Sequence, residues 1–128
     1  MPLFIVPFYA SLLAALYIFL SLRVIRMRRR ERVAVGDGNN LRLRRAIRVH
    51  ANFAEYVPLA LILLAFVEMQ RSPALLVHGL CLSLVIGRAI HAYGVSQEKE
   101  NYRLREAGMA LTFFTIISSS LLLLRAFF

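Results

Sequence analysis

The sequence predicts an all-α integral membrane protein, a single four-helix transmembrane bundle covering residues 1–128, and three observations carry that prediction. The first is composition: 59% of the residues are hydrophobic, there is no Trp and the mean hydropathy is +0.65, too apolar for an ordinary small soluble domain. The second is segmentation. Residues 3–22, 72–87 and 107–124 carry no formal charge, and residues 51–67 are interrupted only by Glu55. A span needs about 20 predominantly apolar residues, with a range of roughly 17 to 25, so the window from residue 72 must extend through Arg88 towards Tyr93. Helices are therefore expected at roughly 3–30, 41–70, 73–95 and 103–127.

The third observation is charge asymmetry. Basic residues number 16 against 7 acidic ones, and ten arginines lie between Arg23 and Arg48, opposed only by Glu31 and Asp37. The positive-inside rule places that loop in the cytoplasm. The loop at 96–105, with Lys99, Arg103 and Arg105, then shares the cytoplasmic side, while both termini and the turn at 68–73 face the other.

The first helix has no ionisable side chain except Tyr9 and Tyr17 before it runs into Arg23, Arg26, Arg28, Arg29 and Arg30. Its charges follow the apolar run and no basic segment precedes it, unlike a secretory signal, so it is expected to stay in the mature protein. Most of these arginines set orientation and meet anionic lipid, leaving one or two within reach of a ligand. A net charge of +9 also suggests nucleic acid, but no stacking aromatics interleave the arginines and spans flank them, so no nucleic-acid partner is expected. The stretch Val35-Gly-Asp-Gly-Asn-Asn40 concentrates turn formers, with Asn39 or Asn40 as N-cap of the next helix.

The second helix is apolar enough to span, yet carries Arg44, Arg45, Arg48, Asn52 and Glu55 in its first half. At about 3.6 residues per turn, Arg45, Arg48, Asn52, Glu55, Tyr56 and Leu59 fall in one stripe roughly 100° wide, while His50 and Glu68 project about 140° from Arg45. A charge inside a membrane helix costs on the order of 2.5 to 3.5 kcal/mol and usually faces a bundle interior or a wet cavity, so the stripe reads as a site. Pro58 removes one backbone hydrogen bond and crowds the carbonyl of Ala54, which predicts a bend beside Glu55. Ser72-Pro73 reads as a cap residue followed by proline at the first helical position.

The third helix has two faces. Gly79, Ser83 and Gly87 recur every four residues, the spacing that admits a neighbouring helix closely. About 120° away lie Leu84, Arg88, His91 and Val95. Arg88 and His91 stand near the cytoplasmic end of their helix, as Arg48 to Glu55 do in theirs, and this shared depth predicts one pocket built from both. The fourth helix, with Gly108, Thr112, Thr115 and Ser119 and no charge before Arg125, reads as a packing helix.

A cluster of guanidiniums at a membrane surface suits a small polyanion, because each makes bidentate contacts to a carboxylate, and an Arg beside a thiol favours the thiolate. Glu55 would neutralise one Arg or accept a ligand ammonium. The plainer alternative is that Glu55 forms only an ion pair, with Arg48 or with Arg88, and that His91 is a packing or capping residue. The single Cys81 excludes an internal disulfide and a Cys-based metal cluster, and reads as packing. No metal site is expected. HExxH, Walker, GxSxG and dinucleotide-binding motifs are all absent.

The run Arg48-x-x-x-Asn52-x-x-Glu55-Tyr56-x-Pro58-Leu59 at the start of the second of four helices resembles the MAPEG family, the membrane-associated proteins of eicosanoid and glutathione metabolism. The likeness extends to the first helix entering Ile25-Arg-Met-Arg-Arg-Arg-Glu-Arg32 and to Gly87-Arg88-x-x-His91-x-Tyr93-Gly94 at the end of the third, and is strongest with small bacterial members of uncharacterised type. It implies a homotrimer of four-helix subunits binding reduced glutathione near the cytoplasmic side between neighbours. By motif position, Arg48, Asn52, Glu55 and Tyr56 match the family's glutathione contacts, Arg28 a first-helix Arg, Arg88 the third-helix Arg, and Arg103 or Arg105 the Arg that stabilises the thiolate. His91 stands where eicosanoid-forming members have Tyr, and Val95 where a second pocket Tyr is expected. These departures bear on conjugating activity more than on glutathione binding.

The expectation is a membrane-bound glutathione-dependent transferase or peroxidase-like enzyme in a bacterial inner membrane. Arg103 or Arg105 would act on the thiol, while Arg28, Arg48, Asn52, Glu55, Tyr56, Arg88 and His91 hold glutathione as co-substrate against a lipophilic electrophile. Two alternatives belong to other classes: a small proton-coupled multidrug exporter working through Glu55, and a glutathione-binding membrane protein without catalysis.

Overall fold

A computed structural model describes residues 3–128 and contains helices α1 (Ile5–Glu31), α2 (Leu41–Met69), α3 (Ala74–Ser96) and α4 (Tyr102–Leu124), the last running into a 3₁₀ turn at Arg125–Phe127. The ends fall within a turn of the ranges read from the sequence, and no strand occurs among the described residues. Each helix is long and apolar enough to cross a membrane.

Local signals account for most of the boundaries. Asn40 caps α2 by accepting the Leu43 N–H at 3.0 Å, and Asn101 caps α4 by accepting the Leu104 N–H at 3.2 Å. The reading of Ser72-Pro73 is one residue out: Pro73 itself occupies the N-cap with non-helical backbone, and no side chain caps α3. Helix α2 passes through Pro58 without breaking. The turn after α1 uses left-handed backbone at Arg32, Gly36, Gly38 and Asn39, and Asp37 braces it by accepting from Asn39 N and from the Arg44 guanidinium.

Helix α1 has no capping side chain of its own. Its first turn is capped from the far end of α2, where the Glu68 carboxylate accepts the N–H groups of Phe4, Ile5 and Val6, each at 2.8 Å. A carboxylate there satisfies three orphan donors and opposes the positive end of the helix dipole.

Helices α2 and α3 form the middle of the bundle, and α1 and α4 lie on opposite sides without touching. Helix α2 buries Val49, Phe53, Val57, Ala60, Leu64 and Val67, which recur every three or four residues against α1 and α3. Lipid tails are as apolar as leucine, so close packing and internal hydrogen bonding, not hydrophobic transfer, hold such helices together. The α3–α4 pair is the tightest. A Cβ on Gly108 would stand 2.5 Å from the Gly87 carbonyl oxygen, so the two glycines let the backbones meet. Gly79 has open space around it, so the expected small-residue seam is used within the chain only at its Gly87 end. The buried Thr112 and Thr115 hydroxyls donate to the carbonyls of Gly108 and Leu111, so that beyond its first turn α4 serves chiefly for packing.

A second close approach positions the site. A Cβ at Gly94 would lie 2.9 Å from Leu104 Cβ and 3.0 Å from Arg105 N, and Asn101 N donates to the Gly94 carbonyl at 3.2 Å. The first turn of α4 is thereby pressed against the last turn of α3.

Candidate functional site

The polar stripe of α2 and the polar face of α3 meet at the arginine-rich end of the bundle. Arg45, Arg48 and Asn52 from α2, His91 and Val95 from α3, Glu100 from the following loop and Arg105 from α4 line a cavity of about 210 Å³, together with Leu41 and Arg44. The two helices contribute from similar depth, as their sequence positions predict. The first turn of α4 reaches the cavity because Gly94 lets it approach.

Arg88 lies beneath this cavity, 1% exposed. Its guanidinium donates to Asn52 Oδ1 at 2.5 Å and to Thr112 Oγ1 at 3.4 Å, approaches His91 Nδ1 at 3.4 Å, and stands 5.9 Å from the Phe53 ring centroid. Among the described residues no carboxylate pairs with it, and its Nε has no hydrogen-bond partner. A buried cation satisfied only by neutral acceptors and an aromatic face favours an anion nearby. It also orients its neighbours. Arg is a donor only, so the Asn52 oxygen must face it and the Asn52 NH₂ is left over, while a bond accepted by His91 Nδ1 requires a neutral ring protonated on Nε2.

Arg45 and Arg105 share one partner. Arg45 Nη1 lies 3.3 Å from Glu100 Oε2 and Arg105 Nη1 lies 2.7 Å from Oε1. Burial by itself raises the Glu100 carboxyl, but the hydrogen bonds from Arg105 and then Arg45 outweigh it and hold the group below the usual carboxylate range. Arg48 is only loosely paired, 3.8 Å from Glu55, and these side chains are 59% and 52% exposed. Charges so exposed on a membrane helix would be costly against lipid, which favours a polar cover over that face.

The remaining predicted residues fall elsewhere in the single chain. Tyr56 packs edge-on against Phe113, with ring centroids 5.6 Å apart, and does not line the cavity. Arg28 turns back on the end of α1, donating to the Gly36 carbonyl at 2.7 Å, and borders a separate groove with Arg29 and Arg32. Of the two candidates in α4, Arg105 lines the cavity and Arg103 is exposed outside it. His50 and Glu68, expected off the stripe, both serve α1: Glu68 as its cap, and His50 through a 2.9 Å contact from Nε2 to Ser21 Oγ and stacking on Tyr17.

Sequence reasoning missed Glu100. The available signal was an acidic residue directly before a capping Asn, in a short loop facing an arginine-bearing helix.

Comparison with known proteins bears on this geometry. Residues 6–125 match the profile of the MAPEG family. The chain is also 38% identical over 109 residues to the inner membrane protein YecN of Escherichia coli K12 and, with the same figures, to its counterpart in Escherichia coli O6:H1, covering 85% of this chain and 82% of each relative.

Proposed function

The chain belongs to the MAPEG family, and from that premise we propose that it is a membrane-bound glutathione-dependent transferase or peroxidase-like enzyme. What carries the reading is the cavity in which Arg45, Arg48, Asn52, His91 and Arg105 converge above the carboxylate-free Arg88. Glutathione brings two carboxylates, an ammonium and a thiol. The exposed Arg48 and the Asn52 NH₂ suit its carboxylates and backbone, and Glu55 suits the ammonium. Arg105 supplies a permanent positive charge beside the thiol without itself titrating.

In conjugation the thiolate sulfur attacks the electrophile, and a sulfur–carbon bond forms as the leaving group departs with its electron pair. The thiol proton is lost to solvent beforehand, so catalysis depends on holding the anion. An unperturbed thiol has a pKa of about 8.5, and each unit of lowering takes roughly 1.4 kcal/mol of differential stabilisation. The apolar helices give a lipophilic electrophile direct access from the membrane.

The same reading includes a homotrimer, in which the exposed Arg48 and Glu55 are covered by a neighbouring subunit whose Arg28 reaches the bound ligand. It also includes a bacterial inner membrane location, supported by the relatives, with both termini on the non-cytoplasmic side by the positive-inside rule.

The test is calorimetry of detergent-solubilised protein with reduced glutathione, coupled to thiolate absorbance near roughly 240 nm. We expect binding and a thiolate band at neutral pH, with the band lost in Arg105→Ala even at glutathione concentrations high enough to saturate its weakened site. Absence of heat at millimolar glutathione would overturn the reading. Binding with an unshifted thiol would reduce the protein to a glutathione-binding module, and loss of gradient-driven efflux in Glu55→Gln vesicles would favour an exporter.

A further inference from the structure

The loop between α3 and α4 is anchored at both ends. Ser96 accepts from Arg23 and donates to the Ala92 carbonyl, and Asn101 is fixed to Gly94 and Leu104. Between these anchors the loop is held to α2 by two carboxylates: Glu98 on Arg42 and Glu100 on Arg45. The ties differ in burial. The Glu98 side chain is 69% exposed, whereas that of Glu100 is 11% exposed and is, among the described residues, the sole carboxylate lining the cavity.

One carboxylate shared by two guanidiniums is the arrangement that a ligand carboxylate would adopt in the same place. The fit is also incomplete. Arg45 Nε is buried without a partner, and Nη1 divides itself between Glu100 at 3.3 Å and the Val95 carbonyl at 3.4 Å. At 3.3 Å the Glu100–Arg45 contact is long for a charge-assisted hydrogen bond, so a ligand carboxylate free to approach Arg45 more closely would hold it more strongly than Glu100 does.

We propose that Glu100 is a built-in occupant of the carboxylate seat formed by Arg45 and Arg105, and that a small carboxylate ligand binds by displacing it. Without ligand, Glu100 keeps two cations from repelling each other across the cavity. With ligand, the incoming carboxylate takes both guanidiniums and Glu100 swings out with residues 97–100 to water, where its charge is screened. A ligand without a carboxylate leaves Glu100 in place, so the loop yields this seat only to molecules of the right class. The identity of the ligand as glutathione rests on the function proposed above; the seat itself takes any small carboxylate.

The test uses the full chain in detergent and two probes, reduced glutathione and citrate, titrated into wild type, Glu100→Gln and Glu100→Asp. Glu100→Gln should bind both probes about tenfold more tightly, having no internal anion to displace, while Glu100→Asp should stay close to wild type. Hydrogen exchange on wild type gives a readout independent of any variant: on adding ligand, amides at 97–100 should exchange faster while those at 45–52 slow. Glutathione binding with equal or weaker affinity in Glu100→Gln, or slower exchange at 97–100, overturns the displacement and leaves the glutathione reading standing. Tighter citrate in Glu100→Gln with no glutathione bound by any form upholds the displacement and removes that reading. Neither probe binding to either protein removes both.

Discussion

The two ends of the bundle treat charge in opposite ways. At one end, the Glu68 carboxylate meets three N–H donors of α1 at 2.8 Å each. At the other, Arg88 is 1% exposed with no carboxylate paired to it, and Arg48 has its carboxylate only at 3.8 Å. The first end is closed: the carboxylate is engaged by three donors within the chain, and the result is a capped helix terminus. The second is open, with positive charge in excess of its partners. Structural charges in a membrane bundle are saturated, and unsaturated ones mark where something else binds.

The contrast can be broken from either end, and the largest effect is expected at the open end. Asn52→Leu takes the 2.5 Å acceptor from the buried Arg88 guanidinium, and should cost about 3 kcal/mol of stability while also removing ligand binding. Thermal unfolding in detergent with and without glutathione measures both. Loss of binding with unchanged stability would mean that Arg88 finds another acceptor. At the closed end, Glu68→Ala leaves three N–H groups uncapped and should cost about 2 kcal/mol without altering glutathione affinity. A change in affinity there would join the two ends functionally.

Arg48→Ala should weaken glutathione binding by about 1.5 kcal/mol, with little loss of stability because its side chain is 59% exposed. Arg26→Ala, further along the arginine-rich end of α1, should leave the same calorimetric titration unchanged.

The smallest effect is that of acid. Glu100 titrates below the ordinary 4.5 in the folded chain, so its ion pairs contribute stability above that pH and lose it as pH falls through the depressed folded value. Asp37, held low chiefly by its hydrogen bond from Arg44, acts in the same direction. Melting should therefore drop below about pH 4.5 in wild type and drop less in Glu100→Gln, the difference isolating Glu100 from Asp37. Equal drops in the two proteins would show that the Glu100 pairs carry no stability.

The sequence by itself determined the four helices, because each is a long uncharged or nearly uncharged run, and membrane helices satisfy their backbone internally whatever their neighbours do. It also determined that Arg45, Arg48 and Asn52 share a face and that Arg88 and His91 lie at matching depth, since helical periodicity is a local property. Tertiary structure alone decided which of these residues meet. Whether Arg103 or Arg105 enters the cavity depends on how α4 leaves the loop, and that follows from a contact at Gly94 that no spacing announces. Glu68, which periodicity set apart from the stripe, found its role 62 to 64 residues away at the start of α1. The role of Glu100 was hidden for the same reason: a loop carboxylate has no period, and its partners Arg45 and Arg105 come together only when α2 and α4 pack side by side.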